Sequence, residues 1–205
     1  MDARQHWDEV YRTKAEQEVS WFQTEPGLSL ELIHEAGVAR QAAIVDVGTG
    51  ASRLMDRLLA EGFTDLTALD IAEAGLGKSR ARLGAAAERV DWVAADVTRW
   101  RPPKRYGLWH DRAVFHFLTD GSDRAAYRST LESALEPEGV AIIASFALDG
   151  PERCSGLPVQ RYSPASLAAE LGAGFRLVAQ RRESHTTPAG RQQLFQYSVF
   201  RREGA

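Results

Sequence analysis

Short apolar segments alternate with longer amphipathic segments along most of the chain. The apolar segments are rich in Val, Ile and Leu, which is typical of strands buried on both faces, and the amphipathic segments have the spacing of covering helices. Strands are predicted at residues 43–47, 66–70, 90–94, 106–111 and 140–146, and helices at 53–61, 75–83 and 123–135. This alternation predicts an α/β fold with a doubly wound, mostly parallel sheet.

The two ends of the chain add further elements. Two strands are predicted at 175–181 and 193–200, and the turn between them contains Pro and Gly, so they should form an antiparallel pair. Ahead of the first strand, two helical pieces flank an aromatic-rich segment. The complete prediction is a Rossmann-like sheet of seven strands with an antiparallel C-terminal strand. Residues 1–40 would form a helical lid on a core of residues 41–205, within a single domain.

Composition and charge narrow the range of partners. The 205 residues carry a formal net charge of −3, so no basic field attracts nucleic acid or an anionic membrane. No apolar run approaches the roughly 20 residues that span a bilayer, and no signal peptide is evident, so we expect a cytoplasmic protein. The single cysteine, Cys154, cannot form an internal disulfide, and no cluster of Cys and His has metal-ligand spacing. No metal is expected, and a nucleic-acid substrate is disfavoured.

A glycine turn directly follows the first predicted strand, in the segment that contains Asp46, Gly48 and Gly50. Such a turn lets the backbone approach a ligand at the carboxyl edge of the sheet. A dinucleotide site would need a third glycine where this chain has Arg53, and Asp46 would lie unfavourably close to a pyrophosphate. The turn therefore indicates a cationic ligand, whose ammonium group the Asp46 carboxylate would hold directly or through water.

Two more carboxylates follow the next two predicted strands. Asp70 ends the second strand, where an acidic side chain accepts hydrogen bonds from both hydroxyls of a ribose. Asp96 follows the third strand, where a carboxylate accepts from the exocyclic amine of adenine and the backbone N–H of Val97 meets the ring. Ile71, next to Asp70, is expected to contact the same ligand. Carboxylates at three successive strand ends favour an adenosyl ligand that carries positive charge.

With these residues in order, residues 43–200 resemble the class I S-adenosylmethionine-dependent methyltransferases. The resemblance rests on Asp46 with its glycine turn, on Asp70 and on Asp96. It implies S-adenosylmethionine as cofactor and S-adenosylhomocysteine as product, and it says little about the substrate.

Two local likenesses suggest different acceptors. The stretch from Leu108 to Ala113 is similar to part of the thiopurine methyltransferases, which also begin with an aromatic helix. This resemblance implies that Trp7, Tyr11 and Arg112 line the cofactor pocket. The aromatic residues Trp7 and Tyr11 near the start of the chain, followed by Trp21, also resemble the N-terminal pattern of small protein-lysine methyltransferases. These aromatic side chains would either pack the N-terminal helices on the sheet or cover the adenine or the sulfonium.

The chemistry needs few protein groups. Methyl transfer from a sulfonium is an in-line displacement, and positioning alone supplies about 7 kcal/mol or more. A base helps only when the acceptor must lose a proton. Asp111 and His116 are the predicted catalytic residues, with a buried structural role as the alternative for His116. His110 should point away from Asp111 and receives less weight. Arg112 would pair with Asp111 or Asp46, or else shape the pocket wall or hold an acidic substrate.

Several functions stay open at this stage. Methyl transfer to a small-molecule acceptor, a thiol, amine or carboxylate, is favoured because the short chain offers little surface for docking a macromolecule. A protein-lysine methyltransferase and a non-catalytic cofactor-binding module are the alternatives. An NAD oxidoreductase is disfavoured by Asp46 and Arg53. The polar loop at 148–159 has the length of a binding element, and Cys154 within it is expected to be incidental.

Overall fold

A computed structural model of the chain describes residues 2–204. The strands are Ile44–Val47 (β1), Leu66–Asp70 (β2), Val90–Ala94 (β3), Tyr106–Arg112 (β4), Leu135–Phe146 (β5), Arg153–Cys154 (β6), Leu157–Pro158 (β7), Phe175–Thr186 (β8) and Gln192–Arg202 (β9). Seven of them form one sheet in the order β3-β2-β1-β4-β5-β9-β8, and β6 pairs with β7 in a separate hairpin. Strands β1 to β5 are parallel, and β9 is antiparallel to both of its neighbours. The predicted doubly wound, mostly parallel sheet is confirmed.

The α-helices of the described chain are Ala3–Thr13 (α1), Gly27–Glu35 (α2), Leu54–Ala60 (α3), Glu73–Leu83 (α4), Gly121–Ala134 (α5) and Pro164–Leu171 (α6). Helix α6 shows how local chemistry sets a boundary. The Ser163 hydroxyl accepts a hydrogen bond from the Ser166 backbone N–H at 3.1 Å, and Pro164 fills the first helical position, where no N–H is needed.

The ends of β5 and of the β8–β9 hairpin differ from the prediction. Strand β5 begins at Leu135, five residues before the predicted start at Val140. Tyr106 pairs with Leu135 but Leu108 pairs with Val140, so the two strands change register between these positions. A positive φ of 63° at Glu138 accompanies this irregular extension, which the apolar pattern does not mark. The β8–β9 pairing likewise continues through polar residues as far as Thr186.

Side chains of alternate residues point to opposite faces of the sheet. One face packs under α2 and α3 and includes Ile44, Leu108 and Ile142, and the other packs under α5 and α6 and includes Val45, Trp109 and Ile143. Both faces are apolar because helices cover each of them. The same alternation places His110 on the α2 face and Asp111 on the α5 face, where they contact Ser29 and Tyr127 respectively.

Residues 2–23, called here the N-terminal segment, cross the carboxyl edge of the sheet. On one side the Asp8 carboxylate accepts a hydrogen bond from the backbone N–H of Ala74 at the start of α4, at 3.0 Å. On the other side the Gln23 amide donates to Glu183 of β8 at 2.9 Å. Polar contacts thus anchor the segment at both edges. Within residues 2–204, no helix has the length and apolarity needed to cross a membrane.

Candidate active site

A cavity of about 340 Å³ lies at the carboxyl ends of the parallel strands, and the N-terminal segment borders it. It opens beside β1 and β4, the neighbouring strands at which the strand order reverses, where open α/β sheets bind their ligands. The acidic part of the cavity is lined by Gly48, Asp70, Ile71, Asp96 and Val97, around the ends of β1, β2 and β3. The apolar part is lined by Phe117, Cys154, Leu157 and Phe195.

The glycine turn after β1 needs its glycines. Gly48 and Gly50 have φ values of +73° and +46°, which disfavour side chains. A Cβ on Gly48 would lie 2.1 Å from a methyl group of Val114, and one on Gly50 would lie 2.0 Å from the hydroxyl oxygen of Tyr11. The turn is therefore packed between the loop after β4 and the N-terminal segment. Gly48 lines the cavity, whereas Gly50 lies behind its wall.

Asp70 is held rigidly at the end of β2. Its Oδ2 accepts a hydrogen bond from the Gly50 N–H at 2.8 Å, and its Oδ1 accepts from the Ala72 N–H at 2.7 Å. Each carboxylate oxygen keeps a second lone pair, as the two hydroxyls of a ribose would require. Burial raises the pKa of Asp70 to about 7, although the two N–H donors oppose the rise.

Asp96 is fixed in the same local way after β3. Its Oδ1 accepts hydrogen bonds from the backbone N–H and the hydroxyl of Thr98, at 2.9 and 2.7 Å. The side chain lines the cavity together with Val97, next to Ile71 and Asp70. Carboxylates beside apolar side chains suit a nucleoside, which presents both hydroxyl or amine donors and ring faces. The acidic part therefore fits an adenosyl group.

Asp46 lies outside the main cavity, and its expected role toward an ammonium group stays a prediction. It is buried under the glycine turn, where Oδ1 lies 2.7 Å from His110 Nδ1 and Oδ2 accepts from the Thr49 hydroxyl at 2.8 Å. It does not line the main cavity but a smaller one of about 50 Å³. The two cavities share Trp21, Gly48 and Arg112. Direct contact between Asp46 and a ligand would thus take place only in the smaller cavity.

Arg112, at the end of β4, lines both cavities. Its Nε donates to the Tyr197 hydroxyl at 3.0 Å, and its two Nη atoms donate to the Trp21 carbonyl and to Glu183 at 3.2 and 3.4 Å. The guanidinium also stacks on Phe195, 4.4 Å from the ring centre. The expected pairing with Asp111 or Asp46 is wrong, because the β8–β9 hairpin brings Glu183 within reach. Arg112 lies in the wall of both cavities, and its role toward a ligand stays a prediction.

The predicted aromatic residues of the N-terminal segment meet over the cavity. The ring centres of Trp7 and Trp21 are 5.6 Å apart, and those of Tyr11 and Trp21 are 6.2 Å apart, both edge to face. Trp7 also contacts Phe117 at 4.9 Å, so it joins the N-terminal segment to the loop after β4. Burial, together with nearby Asp70, holds the pKa of Tyr11 well above its usual value, so its hydroxyl is neutral and can donate.

The two predicted catalytic residues do not line the cavity. Asp111 is fully buried and accepts hydrogen bonds from the N–H groups of Val114 and Phe115 and from the Tyr127 hydroxyl, at 2.8, 3.1 and 2.6 Å. Burial raises its pKa to about 6. These contacts hold the loop after β4. A direct catalytic role for Asp111 stays a prediction that its position does not support.

His116 is also fully buried, between the rings of Phe117 and Phe146. Its Nδ1 accepts a hydrogen bond from the Phe146 N–H at 3.2 Å, and burial lowers its pKa to about 3. A histidine that stays neutral is poorly suited to receive a proton near neutral pH. Its position agrees with the structural alternative, and a catalytic role for it also stays a prediction.

The apolar part was not predicted from the sequence. Cys154 was expected to be incidental, but it is buried and lines the cavity from the β6–β7 hairpin. Ser155 and Gly156, with φ values of +50° and +81°, form the two-residue turn that closes this hairpin. The Ser-Gly pair is a usable sequence signal for such a turn. Burial raises the pKa of the Cys154 thiol to about 11, so the thiol is neutral.

A family model described as a methyltransferase domain matches residues 44–139, from β1 into β5. No curated protein sequence matches the chain significantly. Solved structures share the fold over nearly its whole length, as three of them show. The N-methyltransferase NodS from Bradyrhizobium japonicum WM9, solved with S-adenosylhomocysteine, is 14% identical with a TM-score of 0.71, covering 97% of this chain and 100% of its own.

The 1,6-didemethyltoxoflavin-N1-methyltransferase of Burkholderia thailandensis, with 1,6-didemethyltoxoflavin and S-adenosylhomocysteine bound, is 22% identical (TM-score 0.71, 98% of this chain and 84% of that chain). A protein studied for the conversion of a disulfide bond into a thioacetal group during echinomycin biosynthesis is 19% identical (TM-score 0.78, 98% and 92%). At these identities the likeness establishes the fold. The domain match covers the strands that carry the acidic part, and that part suits an adenosyl cofactor; residues 44–139 are thus similar to a methyltransferase domain, on a fold shared with methyltransferases solved with S-adenosylhomocysteine bound.

Proposed function

We propose that this methyltransferase acts on a small-molecule acceptor, which binds in the apolar part of the cavity while the cofactor occupies the acidic part. The observation that carries the proposal is the division of one cavity into these two parts. Its volume of about 340 Å³ lies at the lower end of the range for small-molecule sites, roughly 300–1,000 Å³. The proposal treats residues 1–40 as a lid and residues 41–205 as the core of one domain.

The residues of the acidic part have distinct roles in this proposal. Asp70 accepts hydrogen bonds from the ribose hydroxyls, Asp96 accepts from the adenine amine, and Ile71 and Val97 contact the ring faces. When bound, S-adenosylmethionine supplies a methyl group activated by its sulfonium. Trp7 and the other aromatic side chains above the cavity exclude water and present ring faces to positive charge, a contact that contributes about 0.5–2 kcal/mol.

The charged groups of the smaller cavity suit the amino-acid end of the cofactor. Asp46 and Arg112 both line it, from the neighbouring strands β1 and β4. An α-amino acid carries an ammonium and a carboxylate on one carbon, so a carboxylate and a guanidinium on the same cavity complement it. The neutral Tyr11 hydroxyl, packed against Gly50 in the wall of the main cavity, is a further donor beside the glycine turn.

The apolar part favours an uncharged or anionic acceptor. Phe117, Leu157 and Phe195 supply apolar surface, and Arg112 lies over Phe195 with the Cys154 thiol nearby. The Arg112 guanidinium has only hydrogen-bond donors, so it can bind a thiolate or a carboxylate but not an ammonium group, although Glu183 already offsets part of its charge. Thiols and carboxylates are therefore favoured over amines, and neither requires a protein base once ionised. The in-line displacement then depends mainly on how the cavity positions the two reactants.

The exposed surface supports a small acceptor over a protein. Within residues 2–204, the large hydrophobic side chains that are exposed are Leu148 and Val178, which lie on separate elements. Such scattered residues do not form the apolar patch that marks many protein-docking surfaces.

The proposal is tested by measuring S-adenosylhomocysteine formation with separate panels of thiols, carboxylates, amines and peptides, and with lysate proteins. We expect turnover with a small thiol or carboxylate and no label transferred from S-adenosylmethionine to protein bands. Label on lysine residues of a protein, with no turnover of small molecules, would overturn the proposal in favour of a protein-lysine methyltransferase. Cofactor binding without turnover in any panel would instead indicate a non-catalytic binding module.

A further inference from the structure

Three side chains form a buried hydrogen-bonded chain beneath the glycine turn. Ser29 Oγ lies 2.9 Å from His110 Nε2, and His110 Nδ1 lies 2.7 Å from Asp46 Oδ1. All three residues are at most 3% exposed. The Thr49 hydroxyl holds the other oxygen of the same carboxylate at 2.8 Å. Both oxygens of Asp46 are therefore fixed in direction.

The fold explains why these residues meet. Asp46 and His110 stand directly opposite each other in the parallel pair β1–β4, and their side chains share the face covered by α2. Ser29, in the first turn of α2, reaches the imidazole from above. An ionised carboxylate only accepts hydrogen bonds, so in that form Asp46 takes its bond from a proton on His110 Nδ1.

This chain of side chains borders the smaller cavity. Ser29, Asp46 and His110 all line that space of about 50 Å³, as do Gly48 and Arg112. The space is large enough for a small polar group or a few waters. An Asp46 carboxylate free to rotate would have several orientations, whereas the observed contacts leave one.

We infer that His110 is a positioning residue that orients the Asp46 carboxylate toward the amino-acid end of the bound cofactor. The inference rests on the proposed placement of the cofactor's amino acid in the smaller cavity. His110 contacts neither reacting atom in this account. His110 acts through Asp46 by fixing the direction of the carboxylate's remaining lone pairs. Ser29 of α2 in turn holds the His110 ring.

The test compares two ligands that differ only at this end. S-adenosylhomocysteine has the amino acid, and 5′-methylthioadenosine keeps the nucleoside and the sulfur but lacks it. Calorimetry with both ligands would be done on the wild-type enzyme, His110→Asn and His110→Gln. The Asn amide places a donor near the position of Nδ1, whereas the longer Gln amide places it near the position of Nε2. His34→Asn changes an exposed histidine that pairs with Glu61 on the far side of α2 and serves as the control.

We expect His110→Gln to weaken S-adenosylhomocysteine binding about 10- to 100-fold, the range for a hydrogen bond to a charged group. Its affinity for 5′-methylthioadenosine should equal that of the wild type, and His110→Asn should recover most of the lost affinity for S-adenosylhomocysteine. Because the comparison is made between two ligands on the same variant, a general loss of folded protein cannot produce this pattern.

Two results separate the inference from the proposed function. If the Gln variant loses affinity for both ligands equally, or for neither, His110 does not act on the amino-acid end and the inference is overturned. If the wild-type protein itself binds both ligands with equal affinity, the proposed placement of the amino acid is wrong. If it binds neither ligand, the cofactor assignment fails before any variant is considered.

Discussion

The acidic and apolar parts of the cavity are assembled in different ways. Each carboxylate of the acidic part is held by a donor two residues further along the chain, from Ala72 to Asp70 and from Thr98 to Asp96. The apolar part brings together residues as far apart as Phe117 and Phe195, which meet only when β9 pairs with β5 and the β6–β7 hairpin folds over them. In the proposed account, the site for the methyl donor thus takes part of its geometry from contacts between residues close in sequence, with one longer contact from Gly50 to Asp70. The site for the acceptor depends wholly on contacts between distant residues. The two parts should respond separately to mutation.

The largest effect is expected from Asp70→Ala in the acidic part. The substitution removes both acceptors for the ribose hydroxyls, and hydrogen bonds to a charged group justify a loss of S-adenosylhomocysteine affinity of about 100-fold or more. Calorimetry measures this directly. Asp91→Ala, at a largely exposed residue of the neighbouring strand, is the matched control. An Asp70→Ala enzyme with wild-type affinity would show that the ribose does not bind there.

The acidic part should also make binding depend on pH. The pKa of Asp70 is raised to about 7 by burial, so the carboxylate gains a proton as the pH falls below that value. A protonated carboxyl group cannot accept equally from two hydroxyls. S-adenosylhomocysteine affinity should therefore be about tenfold weaker at pH 6 than at pH 8, since about one carboxyl in ten stays ionised at pH 6. Asp70→Asn, which has no group that titrates at this position, should bind S-adenosylhomocysteine weakly at both pH values. If the affinity of this variant still changes between pH 6 and pH 8, another group is responsible for the titration.

A substitution in the apolar part should change the binding of the acceptor and leave cofactor binding unchanged. Leu157→Ala removes apolar surface from the cavity wall, and we expect the KM of the identified acceptor to rise about fivefold, as for the loss of a partly buried side chain. The affinity for S-adenosylhomocysteine should not change. Leu148→Ala, at an exposed leucine outside the cavity, is the matched control. Equal loss of acceptor and cofactor binding would mean that the two parts are not separate.

The smallest effect on turnover is expected from Asp111→Asn. Asp111 lies on the opposite face of β4 from the cavity-lining Arg112 and holds the loop after that strand. We expect a lower melting temperature, from a loss of about 1–3 kcal/mol for weakened buried hydrogen bonds, with turnover close to that of the wild type. Tyr127→Phe, which removes one partner of the same carboxylate, is the comparison. A fall in turnover of about 100-fold or more in folded protein would restore Asp111 as a catalytic base.

The sequence predicts those features that depend on local periodicity. The parallel, doubly wound arrangement of the core follows from the alternation of apolar segments with helices, and the positions of Asp70 and Asp96 follow from the ends of those strands. Trp7, Tyr11, Trp21 and Arg112 were assigned by resemblance, and all four line the cavity.

The remaining features depend on contacts that the local pattern does not contain. Alternation along β4 correctly separates His110 from Asp111. Only the packing of α2 and β1 reveals that His110 is hydrogen-bonded to both Ser29 and Asp46. The apolar turn around His116 indicates burial, and the structure shows that burial removes it from the cavity. The place of Cys154 requires the position of a hairpin relative to the sheet, which no short-range signal specifies.

A crystal structure of the enzyme with S-adenosylhomocysteine tests the central claim most directly. The account predicts both ribose hydroxyls within hydrogen-bond distance of the Asp70 carboxylate, the adenine beside Asp96 and the amino acid between Asp46 and Arg112. The space beside Phe117 and Leu157 should stay free for an acceptor. An adenosyl group bound against Phe117 and Leu157, with the Asp70 carboxylate out of contact, would contradict it.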